Sequence, residues 1–148
     1  MFKPIILCAA MLSVVAMPTF AAEECGPLPV APAFVTAGDL AKKPIEDARK
    51  DVVDSYHLVK VYQSQLNSFR NCQLRLTKGD EDAIAAAKAK PEDAGKIPAL
   101  QQRVAERQVI YDKSLDSEQS IATEFNNLRL EHCKRGDTDP KVCPQQKK

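Results

Sequence analysis

Tryptophan is absent, and the aromatics are three tyrosines and five phenylalanines. A core built from this chain leans on alanine, valine and leucine and is thin for 148 residues. Neither sign of charge dominates, with 21 basic and 20 acidic residues. Phosphate backbones need a basic surface, so nucleic acid is not an expected partner. Apolar runs long enough to cross a bilayer are also missing. Ile5–Met17 falls short of the ~20 residues a spanning helix needs, and nothing after it comes close. No Asn-x-Ser/Thr sequon occurs, which favours a bacterial exported protein over a glycosylated one.

Motifs of chemistry are missing too. There is no CxxC for thiol exchange, no CxxCH for haem, no GxSxG, no HExxH and no glycine-rich phosphate loop. The two histidines, His57 and His132, lie on different helices of the expected fold. His132 adjoins Cys133, but neighbouring helix residues point apart, and a zinc site needs about four convergent ligands. No catalytic residue, metal, cofactor or small-molecule substrate is therefore expected. Arg135-Gly136-Asp137 spells an adhesion tripeptide, but a glycine closing a helix between two charges explains it.

What is present begins with an address. Lys3 precedes the apolar Ile5–Met17, and Thr19-Phe20-Ala21 supplies small residues for cleavage after Ala21. Residues 1–21 are thus expected to be a signal peptide, and the mature protein periplasmic or secreted. Four cysteines follow, Cys25, Cys72, Cys133 and Cys143, an even number that predicts two disulfides in an oxidising compartment.

The expected fold class is all-α: an antiparallel hairpin of two long helices, with an extended proline-rich strap and a short connector helix. The first helix spans Pro44 to Thr77. Its apolar residues, Ile45, Ala48, Val52, Tyr56, Val59, Tyr62, Leu66 and Phe69, recur every three or four positions. Pro44 suits its first turn and Gly79 its end. The second helix spans Pro98 to Arg135, with a sparser stripe of Leu100, Val104, Tyr111, Leu115, Ala122, Phe125 and Leu128. Residues 22–43 carry Pro27, Pro29 and Pro32 and form the strap, with a weak capping box from Thr36 to Asp39. The hairpin domain is 44–135. Its connector, 79–96, is charged and alanine-rich, with a short helix at Ala83–Lys90. The tail is 136–148.

A hairpin turns cysteine pairing into a distance problem. With the first helix ending near Lys78, Cys72 lies level with Val104, and Cys133 lies level with Lys42. Cys72 and Cys133 are then about 45 Å apart along the helices, while bridged α-carbons sit within about 7 Å. The expected pairs are Cys25–Cys72, pinning the strap, and Cys133–Cys143, closing the tail. The longer loop stabilises the fold by about 3–4 kcal/mol in the chain-entropy model. A connector that crossed back would make the helices parallel and allow Cys72–Cys133 instead.

Cys25-Gly26-Pro27, the proline-rich arm, a helix reaching Cys72, and Ile121-Ala122-Thr123-Glu124-Phe125-Asn126 together resemble a loose group of small exported helical-hairpin proteins of Gram-negative bacteria. The resemblance implies a periplasmic location and nothing about mechanism. Cys133 and Cys143 depart from that pattern. Leu76-Thr77-Lys78-Gly79-Asp80 stops short of the LTxxQ pattern of the periplasmic stress-chaperone family. The expected function is non-enzymatic binding of another protein or of a second copy. The contact surface falls on Val109, Ile110 and Ile121, which lie off the second stripe. The alternatives are a holdase-type chaperone and a thiol-redox role for Cys72 or Cys133.

Overall fold

The computed structural model describes residues 25–144. The expected signal peptide and the last residues of the tail lie outside this range. The described residues are mostly helical, with no strand. Among the described residues there are three α-helices, α1 (Ala37–Lys42), α2 (Ile45–Lys88) and α3 (Ile97–Cys133), with a 3-10 turn at Pro91–Lys96 before α3.

Thr36 starts α1. Its Oγ1 accepts from the Asp39 amide at 3.1 Å and donates to the Asp39 carboxylate at 2.7 Å, so the weak capping box forms. Helix α2 then runs for 44 residues, well past the expected end near Thr77. Gly79 does not close it, and Ala83–Lys90 is not a separate connector helix. A mid-helix glycine costs about 0.5–1 kcal/mol against alanine, but Asp80 and Ala87 beyond it are buried, and that packing carries the helix on. The break comes at Pro91. Its ring pushes Lys90 to an extended conformation, φ −129° and ψ 108°.

Side-chain pairs tie α2 to α3 and to the loop that follows it. Arg49 meets Asp137, Tyr62 meets Ser117 at 2.6 Å, Arg70 meets Glu118 at 2.6 Å, and Asp80 meets Arg103 at 2.6 Å. From Tyr62 to Asp80 along α2 the partners move from Ser117 and its neighbour Glu118 back to Arg103 on α3, which is compatible with a hairpin. The longer α2 moves the levels: Arg70, two residues before Cys72, pairs with Glu118, so Cys72 lies near that level and not opposite Val104. The structure joins Cys25 to Cys72, with α-carbons 5.8 Å apart, and Cys133 to Cys143, at 5.5 Å.

Burial follows a heptad. On α2 the seam is Ala48, Val52, Ser55, Val59, Tyr62, Leu66, Phe69 and Gln73, in alternating steps of four and three. That spacing is the a/d pattern of packed helix pairs. On α3 it is Leu100, Arg107, Ser114, Ile121, Phe125, Leu128 and His132. Two expected members fail. Ser55 takes the seam place expected of Tyr56, and Leu115 is 43 % exposed while Ser114 is buried. Polar seam residues had made neighbouring apolar ones look like the stripe. The apolar core gathers at the strap end, where Leu40, Leu66, Ile121, Phe125 and Val142 share one cluster and Leu28, Phe34 and Val35 of the strap pack on it.

Candidate functional site

The short C-terminal loop shapes the most distinctive surface. Helix α3 ends at Cys133, and Gly136 follows with φ +90°, a left-handed conformation other residues resist. That turn points Asp137 back into the protein, where its side chain has no solvent exposure. Its carboxylate accepts from Arg49 Nη2 at 2.7 Å and Nε at 2.8 Å, and from the Asp139 amide at 2.9 Å. It also meets His132 Nε2 at 2.6 Å. The Arg49 hydrogen bond leads in holding Asp137 far below the usual carboxylate range. Burial opposes it, and the Asp139 amide and His132 assist. Arg135 donates to the carbonyls of Leu40 at 2.5 Å and Lys43 at 2.6 Å. Arg135-Gly136-Asp137 is thus a structural lock between the tail, α1 and α2, with no carboxylate free for adhesion.

The lock and the Cys133–Cys143 bond hold residues 137–143 against α2 and α3. Val142 is buried there, and Lys141 stands exposed beside it. The result is a half-open groove of about 460 Å³, lined by Val52, Val53, Tyr56, His57, Phe125, Arg129, Lys141 and Val142. Such a volume falls within the usual range for ligand pockets. Val53 and Tyr56 are 38 % and 45 % exposed. The Tyr56 ring centroid lies 5.9 Å from that of Phe125, and Lys60 Nζ lies 5.4 Å from the Tyr56 centroid, in cation–π range. An apolar floor with a cationic rim is therefore open to solvent.

The expected contact residues do not converge. Val109 is 53 % exposed, on the face of α3 away from the seam, and Ile110 is half-buried. Ile121 is only 5 % exposed and belongs to the core, so it cannot present itself to a partner. It was placed off the stripe because Ser114, one heptad earlier, is polar.

Two other polar groupings stand out. His132, Asp137 and Cys143 offer ligand atoms within 4.8 Å of one another. Cys143 is in a disulfide, and Asp137 is committed to Arg49 and His132, so no thiolate or free carboxylate is left for a cation. Towards the turn, Asp80 is buried between Arg103 and Arg107. Burial pushes the Asp80 carboxyl up, but the Arg103 hydrogen bond and the charges of both arginines outweigh it and hold the group below its usual range. Gln73 is buried nearby on the seam, and neither atom of its amide has a hydrogen-bond partner.

Sequence reasoning missed the groove because it arises from three distant segments. The Cys133–Cys143 spacing and Gly136, with its positive φ, signal that the tail doubles back, but not what it meets. Among the described residues no helix is long and apolar enough to cross a membrane. No protein-family model, curated protein or solved structure matches the chain.

Proposed function

We propose that this is an exported, disulfide-clamped antiparallel helical hairpin that acts by binding another protein and catalyses nothing. Periplasmic or secreted location is part of the proposal. Two disulfides and the absence of membrane-length helices among the described residues support it. The resemblance to small exported hairpin proteins of Gram-negative bacteria points the same way. The redox alternative requires one of the two disulfides to open, since both candidate cysteines are bonded.

One observation carries the binding proposal: exposed Val53 and Tyr56 stand over a groove whose frame is clamped by a buried ion network and a disulfide. Apolar side chains held open on a rigid frame lose little entropy when a partner covers them. The contact surface thereby moves from Val109, Ile110 and Ile121 to the groove.

A photo-crosslinking residue placed at Tyr56, in the exporting cell, tests this. A discrete adduct at Tyr56 and none at Val109 is the expected result. No adduct at Tyr56, or equal capture at both positions, would overturn the proposal.

A further inference from the structure

The rim of the groove carries information about what the groove takes. His57, Arg129 and Lys141 line it and Lys60 stands beside it, while no acid lines it. None of the four makes an ion pair with a described residue. Of the acids close by in sequence, Glu131 pairs with Lys134 at 2.6 Å, and Asp54 does not line the groove. Asp137 is held by Arg49 and His132, and Asp139 accepts from the Lys141 amide at 2.9 Å and lies 3.9 Å from Arg49 Nε. In the heptad of α2, Tyr56 takes position e and Val53 and Lys60 position b, on one flank of the pair. Asp47, Asp51 and Asp54 take positions c and g, on the opposite flank, which also carries Cys72 and so the strap. Those three aspartates thus face away from the groove, while Glu46, at position b on the groove flank, is taken up by Arg49 at 2.8 Å.

We infer that the groove receives a segment of a partner protein that is both apolar and acidic, with apolar side chains on Val53 and Tyr56 and a carboxylate between Arg129 and Lys141. This rests on the protein-binding proposal above. Charge complementarity selects the acid, since an unpaired cationic rim rejects a basic partner and attracts an anionic one. Extent selects a protein segment over a small amphiphile. The same flank carries exposed Leu74 at position b of α2, about 27 Å beyond Tyr56 by the rise per residue. Exposed Leu115 lies on the matching flank of α3. An amphipathic helix laid along this flank meets the groove and both leucines, as in helix-in-groove recognition.

Fluorescence anisotropy of the oxidised protein with three capped, labelled helical peptides tests the inference. The peptides share a leucine face and carry glutamate, glutamine or lysine on the other. The glutamate peptide is expected to bind, the glutamine peptide about tenfold more weakly, and the lysine peptide least. The double substitution Arg129→Glu with Lys141→Glu is expected to invert that order. Both side chains stand at the surface without an ion pair, so circular dichroism should report an unchanged fold. Glutamate and glutamine peptides binding equally, with no inversion, would overturn the acidic preference and leave protein binding standing. If no peptide binds and the Tyr56 crosslink is absent too, both proposals fall. Saturation by dodecanoate with no peptide binding would overturn the inference in favour of a lipid anion.

Discussion

The two ends of the helix pair share one spacing and differ in content. At the strap end the seam is Ala48, Val52, Val59, Tyr62 and Leu66 against Ile121, Phe125 and Leu128. Towards the turn it becomes Gln73, Asp80, Arg107 and Ser114, with Ala87 and Leu100 as its apolar members. The first end removes apolar surface from water, the dominant favourable term in folding. The second end buries charge, which contributes little net stability but punishes mispairing, because a displaced Asp80 would be left without Arg103 and Arg107. On this view the apolar end supplies stability and the polar end sets register. Both disulfides serve the first role: Cys25–Cys72 reaches only the middle of α2, and Cys133–Cys143 closes the opposite end from the turn.

The contrast can be broken most forcefully at the staples. Cys25→Ser with Cys72→Ser should cost about 3–4 kcal/mol, read by urea unfolding, since it frees the strap that covers the apolar end. Leu66→Ala, at a fully buried site, should cost about 3 kcal/mol. Gln73→Leu, only two turns further along, should be neutral or stabilising, because it replaces an amide whose two polar atoms have no partner. Similar losses for Leu66→Ala and Gln73→Leu would show that the two ends are packed alike.

Acid should act on both ends through their buried carboxylates. Asp137 and Asp80 are both lowered from an ordinary value of 3.8. Their contributions are therefore complete above that value and are lost as pH falls below it through the folded-state values. Asp137→Asn should cost about 2 kcal/mol near neutral pH. It should also flatten the fall in thermal midpoint between about pH 4 and pH 2. A variant that keeps the wild-type slope would show that Asp137 does not set it. The smallest effect belongs to Gly79. An added Cβ there meets nothing within 4 Å, and its φ is not positive, so Gly79→Ala should stabilise α2 by about 0.5–1 kcal/mol. No gain would mean that the helix is already broken at that point in solution.

Much of the frame was legible in the residues. Helical spacing from Ile45 onward, the cap at Thr36 and the stop imposed by proline are local signals, and each appears where local chemistry puts it. The cysteine pairs follow from long stiff helices, since a helix holds its residues at a constant rise whatever lies around it. What stayed hidden involved polar groups in apolar places. Ser55, Arg107 and Ser114 sit on the seam and shift the apparent stripe by one residue, so the spacing alone predicts Tyr56 and Leu115 buried and Ile121 exposed. Gly79 reads as an end because its cost is local, whereas the packing of Asp80 and Ala87 beyond it is not.

The sequence by itself determined the helices, because their period is a property of one segment and its side chains, and it determined which cysteines could reach each other. Tertiary structure alone decided the register, the length of α2, and the conversion of Arg135-Gly136-Asp137 from a surface tripeptide into a buried lock. It also made the groove, where Tyr56, Phe125 and Lys141 meet across more than 80 positions of chain. The reason is physical: a period repeats along one helix, whereas burial of a charge or exposure of an aromatic depends on what a distant segment brings against it.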